Sequence, residues 1–250
     1  MRGKSFHVSP GRFDGFWARV ADGRWEPESF ELFDRFVDEQ TTVIDFGAWI
    51  GPTVLYLAQI SAKTLAFEAD PEAYALLAQN LHLNAGKTWH DRIEAHHCGI
   101  HHSGLPITLG AHKQAGDSMS SVLMQGSDTT WQVPTRTLQD VIGAACGPDE
   151  KVFVKMDIEG GEFEMLPHLG PLLNDPRITF YISMHPGILR QSLGEGPGSD
   201  EGFRDIIAPI IDVLPFSRRI ERLDGHALNE AWLRKALGRG RLPTHDIIIF

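Results

Sequence analysis

Long hydrophobic runs are missing from this 250-residue chain. No apolar stretch approaches the roughly 20 residues that a transmembrane helix needs. Residues 1–15 also lack the continuous hydrophobic centre of a signal peptide. Cysteine is scarce as well, and Cys98 and Cys146 cannot form a disulfide framework. We therefore expect no membrane span and a cytoplasmic location.

An excess of positive charge is the second missing feature. The chain has 23 lysine and arginine residues against 33 acidic ones, a formal net charge of −10. Surfaces that bind nucleic acid are basic, so we expect no nucleic-acid partner. The hydrophobic content of 42% is enough for a substantial core, and the length suits one large domain. The sequence leaves a homo-oligomer open.

Residues 42–53 read as a buried strand, a glycine turn and the first turn of a helix. A dinucleotide-binding loop has the spacing G-x-G-x-x-G, which lets the backbone reach a pyrophosphate. Here the spacing is Asp45-x-Gly47-x-x-x-Gly51. An aspartate before such a loop repels phosphate but suits a cationic ligand such as S-adenosylmethionine (SAM). An ordinary strand-to-helix turn is the alternative interpretation.

A second acidic strand end follows at Glu68. It comes 23 residues after Asp45, close to the offset of about 20 at which an acidic side chain meets ribose hydroxyls. A solvated carboxylate at a strand end is the alternative. Asp70 and Pro71 fit the cap and first turn of the next helix, which leaves Glu68 free for the ribose.

Strands and helices alternate along the chain. This order predicts an α/β fold with a mostly parallel sheet, helices on both faces and right-handed crossovers. The predicted strands are 42–46, 64–68, 92–100, 105–109, 151–156, 178–184, 218–223 and 246–250. Helices are predicted to begin at Pro27, at Pro52, at Pro71 and after the cap residue Thr137. Three more are predicted after Glu162 (ending at Leu169), at 203–213 and at 229–237. We assign residues 1–40 to an N-terminal helical extension covering the cofactor side, and 41–250 to the main domain.

Polar side chains stand at the ends of several predicted strands. In open α/β sheets, ligands lie outside the carboxyl ends of the strands. The sequence places the following residues along one such rim: Asp45, Glu68, Cys98, Gly99, Asp157, Glu159 and His185.

These pieces together resemble the FkbM-like family of SAM-dependent methyltransferases. The matching segments are 43–51 (VIDFGAWIG), 67–71 (FEADP) and 155–162 (KMDIEGGE), supported by 25–27, 120–121, 136–138 and 184–186. The resemblance spans roughly residues 25–190 in order, and the K-x-D-x-E-G-x-E block is its most specific part. Trp49 is one departure, because the family more often has a small polar residue there.

The resemblance implies a class I methyltransferase (Rossmann-like) sheet of seven strands whose last strand is antiparallel. It also implies S-adenosyl-L-methionine as cofactor and O-methylation of a sugar, glycolipid or secondary metabolite, a small-molecule or glycan acceptor. The residues expected at the cofactor are Asp45, Phe46, Gly47, Ala48, Gly51, Glu68, Ala69, Cys98, Gly99, Ser120, Ser121 and Asp157. The family match alone suggests the two serines.

The expected catalytic residues are His185, Asp157 and Glu159. His185 is the leading candidate for the base, because the charge of a histidine side chain changes near neutral pH. A structural histidine before a proline turn fits the sequence equally well. Asp157 and Glu159 would orient the acceptor or the histidine. With His185 they would also form ligands for a divalent cation. We favour no metal, because two carboxylates and one histidine on loops are a small ligand set.

Other interpretations stay open at this stage. The histidines at 96, 97, 101 and 102 match no standard zinc motif, and a solvated turn is the expected structure. A protein of the same fold that binds SAM without catalysis is one alternative function. An NAD-dependent oxidoreductase is the other, and the loop spacing argues against it.

Overall fold

The computed structural model describes residues 1–111, 114–124, 126–196, 198–242 and 246–250. Its helices are α1 (Asp14–Ala21), α2 (Pro27–Phe36), α3 (Pro52–Leu57), α4 (Pro71–His82), α5 (Leu138–Ala145), α6 (Glu162–Met165), α7 (Gly170–Leu173), α8 (Pro186–Leu193), α9 (Ser199–Val213) and α10 (Glu230–Gly238). Its strands are β1 (Thr41–Phe46), β2 (Lys63–Glu68), β3 (Ile93–His97), β4 (Gly99–Ile100), β5 (Ile107–Gly110), β6 (Thr130–Val133), β7 (Thr135–Arg136), β8 (Lys151–Met156), β9 (Ile178–Ser183), β10 (Ile220–Arg222) and β11 (Asp246–Ile249).

Seven strands form the central sheet in the order β10-β11-β9-β8-β1-β2-β3. Strand β11 runs antiparallel to both of its neighbours, and the pairs from β9 through β3 are parallel. The prediction of a seven-stranded, mostly parallel sheet with an antiparallel last strand is confirmed. The carboxyl ends of β1, β2, β8 and β9 therefore meet at one edge of the sheet.

Helices cover both faces of this sheet. On one face, α5, α9 and α10 pack on alternate residues of the strands, such as Ile44 in β1 and Val154 in β8. On the other face, α2 packs its phenylalanines Phe30 and Phe33 against Phe153 and neighbouring side chains. Strands that are buried on both faces need continuous apolar sequence, which is why β1 and β8 could be predicted.

The predicted third strand, 92–100, was too long. β3 ends at His97, and the chain then leaves the central sheet at Cys98. β4 pairs instead with β7, and the Gly99 amide donates to the Pro134 carbonyl at 2.9 Å. Strands β6 and β7 and helices α1, α7 and α8 were not predicted. No helix of the described ranges is both long and apolar enough for a bilayer.

The N-terminal extension divides into two parts. Helix α2 lies on a face of the sheet, while α1 and the turn before it reach the carboxyl edge. There the rings of Phe13 and Phe16 meet Trp49 edge to face at 5.1 and 4.7 Å. The Arg12 guanidinium also donates to the Ala115 carbonyl at 2.9 Å. Residues 12–16 of the extension therefore contact the turn and the loop at the predicted site.

Candidate functional site

The glycine turn after β1 is packed too tightly for any side chain at Gly47. Gly47 has φ +85°, and a Cβ atom there would lie 1.7 Å from the Asp157 carbonyl oxygen. The amides of Gly47 and Ala48 both donate to the Phe67 carbonyl at 3.1 Å. The Trp49 amide donates to Glu68 at 2.7 Å. All three amides of residues 47–49 are thus used inside the protein, so they cannot hold a pyrophosphate.

Asp45 lies behind this turn and has no exposed surface. It is fully buried, and its register partner across β8 is Lys155, whose ammonium lies 3.2 Å from its carboxylate. Its second oxygen accepts from the Thr53 hydroxyl. Burial opposes the charge on Lys155, but Asp45 and Asp157 outweigh it and raise the lysine's pKa. Asp45 therefore anchors the turn through an ion pair, which corrects the prediction that it contacts the cofactor.

Glu68 closes the turn from the end of β2. Its two carboxylate oxygens accept the amides of Trp49 and Asp70, each at 2.7 Å. Burial raises the pKa of Glu68 to about 7, against the effect of those two amides. Each oxygen keeps a second lone pair, and Glu68 lines the cavity described next. The carboxylate can therefore serve the turn and a ligand hydroxyl together.

A cavity of about 750 Å³, including its open mouth, lies at the carboxyl edge of the sheet. This volume is in the range of sites for small molecules and cofactors. Five carboxylates line it, and none of its described lining residues is a lysine or arginine. The acidic residues are Glu68, Asp117, Asp157, Glu159 and Glu164, and the apolar ones include Phe46, Ile100, Ile107, Leu109, Val122 and Ile158. The cavity suits a ligand with an apolar ring and a positive charge.

Some of the other residues predicted to contact the cofactor line the cavity, and the rest belong to the structure that supports it. Phe46, Gly47, Ala69, Gly99 and Ser120 line the cavity with Glu68 and Asp157. Ala48, Gly51, Cys98 and Ser121 are not in its wall. Gly51 caps α3, and Ser121 donates to the Glu159 carbonyl at 2.6 Å. The prediction that these four residues contact the cofactor is therefore revised to a supporting role.

Ser120 belongs to a loop that Asp70 holds in place. One oxygen of Asp70 caps α4, and the other accepts the Gly116 amide at 2.6 Å and the Ser120 hydroxyl at 2.8 Å. The Trp49 indole adds a bond of 3.2 Å to the Gly116 carbonyl. Asp70 thus caps a helix, as predicted, and also fixes the loop over the cavity.

The three predicted catalytic residues do come together. The His185 Nε2 atom lies 3.6 Å from Asp157 and 3.5 Å from Glu159, and its Nδ1 atom lies 3.0 Å from Glu162. Glu162 is fully buried and also accepts the amides of Ile158 at 2.9 Å and Gly160 at 2.8 Å. The buried Glu162 therefore fixes both the loop after β8 and the histidine ring.

The charges of this cluster set its protonation. Burial alone would lower the pKa of His185, but Glu162, Asp157 and Glu159 raise it to about 9. The ring is then a cation at neutral pH, and it is not part of the cavity wall. Both facts oppose the role of base that the sequence predicts for it. Burial raises the pKa of Glu159 to about 7, and Glu159 does line the cavity.

A cation would compete with existing charges in this cluster. Asp157, Glu159 and His185 offer three ligand atoms within 4.8 Å of one another. However, the Lys155 ammonium lies 3.3 Å from Asp157, and His185 would first have to lose a proton. These positive charges disfavour a metal ion there.

The four clustered histidines do not form the solvated turn that was expected. His96 and His97 belong to β3, where their rings stack on Phe67 and Tyr74. His101 is only 8% exposed, and it lines the cavity. The expectation failed because the sequence does not show which residues pack over this segment.

Several lining residues escaped sequence reasoning. Ile107 and Leu109 lie in a short strand of weak pattern, and Glu164 follows the recognisable acidic block by two residues. Glu26 was named only as part of a supporting motif. It has a left-handed backbone (φ 44°), and burial, with the charge of Asp157, raises its pKa to about 7. The one sequence signal for Glu26 was its place directly before Pro27, the first residue of a helix.

Comparison with protein families gives one match. Residues 45–208 match the family model described as the methyltransferase FkbM domain. This range contains the glycine turn, Glu68, the loop at Ser120 and the cluster around His185. A comparison with curated proteins found no match.

Three solved structures align with this chain at low identity. A methyltransferase FkbM from Methylobacillus flagellatus KT is 15% identical, with a TM-score of 0.48, covering 92% of this chain and 52% of that one. An rRNA methylase from Streptococcus thermophilus is 13% identical, with a TM-score of 0.38 and coverage of 88% and 91%. A candidate methyltransferase from Streptococcus mutans, in complex with SAH, is 11% identical, with a TM-score of 0.42 and coverage of 88% and 93%. The chain thus spans about half the length of the Methylobacillus protein.

Proposed function

The chain belongs to the FkbM methyltransferase family, and we propose that it transfers the methyl group of SAM to a hydroxyl group of a sugar, a glycolipid or a secondary metabolite. The observation that carries this proposal is Glu159, a carboxylate in the cavity wall whose pKa burial raises to about 7. Methyl transfer to a hydroxyl needs a proton acceptor that works near neutral pH.

The cavity fits SAM better than a dinucleotide. SAM carries an ammonium and a sulfonium, and the five lining carboxylates favour such positive charges. A dinucleotide carries a pyrophosphate, for which this cavity offers neither a lysine nor an arginine among its described lining residues. The amides of residues 47–49 are also already bonded within the protein. These contacts weigh against an NAD-dependent oxidoreductase.

Individual residues would bind the parts of SAM. Glu68 would accept hydrogen bonds from the ribose hydroxyls with its free lone pairs. The apolar side chains of Ile100, Ile107 and Leu109 would lie against the adenine ring. Asp157, beside Glu159 at the end of β8, would face the methionine end. Bound SAM supplies a methyl group that is already activated, so no further activation of that group is needed.

The remaining task for the chain is to place the acceptor and take its proton. Holding an acceptor oxygen in line for attack supplies much of the acceleration in such a reaction. Glu159 is half deprotonated near pH 7 and can receive the hydroxyl proton at its carboxylate. The His185 cation, 3.5 Å away, favours the ionised form of that carboxylate and orients it. His185 is then a positioning residue for Glu159.

The acidic cavity also selects the class of acceptor. A phosphorylated or carboxylated acceptor would meet repulsion from the lining carboxylates and from the net charge of −10. A neutral hydroxyl compound would not. This electrostatic preference supports a sugar, glycolipid or metabolite hydroxyl as the acceptor.

A methyl-transfer screen tests the proposal. The protein is incubated with SAM and a panel of neutral hydroxyl compounds and amines, and mass spectrometry locates the added methyl group. Glu159→Gln should lower kcat by about 10²–10⁴-fold, the range for loss of a general base, with SAM affinity changed only slightly. The matched control is Glu94→Gln, a half-exposed glutamate on β3. Methyl transfer to nitrogen or carbon, or full turnover by Glu159→Gln, would refute the proposal.

A further inference from the structure

A second cluster of titratable side chains lies beside the cavity and includes Glu164 of α6. We infer that His101, His102 and Glu164 form a binding site for a divalent transition-metal ion of the kind that prefers imidazole ligands, such as Zn²⁺. The inference is independent of methyl transfer and rests on the geometry of these three side chains.

Two of the three distances between ligand atoms are close to those of a tetrahedral zinc site. The Glu164 carboxylate lies 3.1 Å from the His101 Nε2 atom and 3.6 Å from the His102 Nε2 atom. All three ligand atoms lie within 4.8 Å of one another. Zinc holds nitrogen and oxygen ligands at about 2.0–2.1 Å, which in a tetrahedron places two ligands about 3.3–3.4 Å apart. The two distances from Glu164 each differ from this spacing by about 0.3 Å or less.

Neighbouring groups hold both rings in place. The His101 Nδ1 atom accepts the Ser103 amide at 3.3 Å and lies 2.8 Å from the Ser103 hydroxyl, and these contacts fix the ring with its Nε2 atom beside Glu164. The Nε2 atom would release its proton on binding a metal ion. The His102 ring stacks on His168, with centroids 3.9 Å apart and planes 13° apart. Because the rings are already ordered, binding would cost little side-chain entropy.

The charge around this cluster favours a cation. Among the described residues, Glu164 has only the two histidines as ion-pair partners, and no lysine or arginine neutralises it. The cluster around His185 is different, because Lys155 already lies beside Asp157 there. A metal ion that is offered both sites should therefore occupy the one at Glu164.

The ligand set also has an accessible position. Two histidines and one glutamate are a known set for zinc sites that keep a place for water or another ligand. His101 and Glu164 belong to the cavity wall, so a further ligand would approach from the cavity. Glu164 is half exposed, which gives the ion a path from solvent.

Cobalt titration tests this site directly. The full chain is freed of metal by dialysis against a chelator and titrated with Co²⁺, whose tetrahedral complexes absorb visible light, and Zn²⁺ is then added as competitor. We expect one equivalent to bind and Zn²⁺ to displace it. His102→Gln and Glu164→Gln should each weaken binding by about 100-fold or more, since even outer partners of a metal ligand contribute 10–100-fold. Both side chains are partly exposed, so these variants should fold, which circular dichroism checks.

Two controls locate the ion. His226→Gln removes a histidine that is 78% exposed and remote from the cluster, and it should leave binding unchanged. His185→Asn should leave it unchanged as well. The inference is refuted by absence of stoichiometric binding, by equal binding in His102→Gln, or by loss of binding in His185→Asn.

Discussion

Removal of the His185 cation should change how stability depends on pH. The ring lies 3.0 Å from Glu162, 3.5 Å from Glu159 and 3.6 Å from Asp157. These contacts outweigh burial and raise its pKa from 6.5 to about 9. A difference of one in pKa corresponds to about 1.4 kcal/mol, so the difference of about 2.5 between these two pKa values gives the folded state at most about 3.5 kcal/mol from binding this proton.

The direction follows from proton linkage. A group whose pKa is raised by folding stabilises the protein fully at pH values below its pKa in the unfolded state, here 6.5. That stabilisation is lost as the pH rises through its pKa in the folded state, here about 9. The stability advantage of the wild type over His185→Asn should therefore shrink by up to about 3.5 kcal/mol between these pH values. Asparagine keeps a donor near the Nδ1 position but cannot be protonated.

The assay is chemical denaturation at a series of pH values, analysed for the free energy of unfolding. His226→Asn, which removes an exposed imidazole, should follow the wild-type curve. An NMR titration of the histidine rings should also show one ring titrating near pH 9. A constant difference between wild type and His185→Asn would refute the reasoning, because it would mean that the folded protein holds a neutral ring.

Two further substitutions test the turn and the ribose contact. Gly47→Ala should destabilise the protein by more than about 3 kcal/mol, since the new methyl group overlaps the Asp157 carbonyl and the backbone is left-handed. The control is Gly143→Ala, in α5 with open space around it. It should stabilise the protein by about 0.5–1 kcal/mol in the same unfolding experiment. Equal stability of the two variants would contradict the packing of the turn. Glu68→Gln should weaken SAM binding by roughly 10–100-fold in calorimetry, as expected for one lost hydrogen bond to a charged acceptor. It should also lower the stability of the protein, because either the Trp49 or the Asp70 amide loses its acceptor. Unchanged SAM affinity, with Glu94→Gln as reference, would rule out the ribose contact.

The sheet could be predicted because its central strands are buried on both faces. β1, β2 and β8 are short apolar runs, and each ends at a glycine or an acidic residue that marks the sheet edge. Strand β6 escaped because it pairs only with β5 and is half exposed, so its sequence carries no continuous apolar pattern. The number of strands and the antiparallel last strand came from the family resemblance, because periodicity alone does not specify which strands pair.

The site was predicted as a set of residues but not as a set of roles. Strand ends correctly brought Asp157, Glu159 and His185 together, because parallel strands finish at one edge. The role of Asp45 depends on Lys155, which is distant in sequence and becomes its neighbour only through the register of β1 and β8. Similarly, the protonation of His185 depends on Glu162, which the sequence places on a helix without showing its direction.

Equilibrium binding to the wild-type chain tests the central claim most directly. The chain is titrated by calorimetry with S-adenosylhomocysteine (SAH), the product left when SAM loses its methyl group, and separately with NAD. Because the cavity is lined by carboxylates and the amides of the turn are already bonded, we expect one SAH to bind per chain and no NAD. Saturation with SAH should also raise the unfolding temperature. Binding of NAD without binding of SAH, or binding of neither ligand by the folded chain, would contradict the assignment of this cavity to SAM.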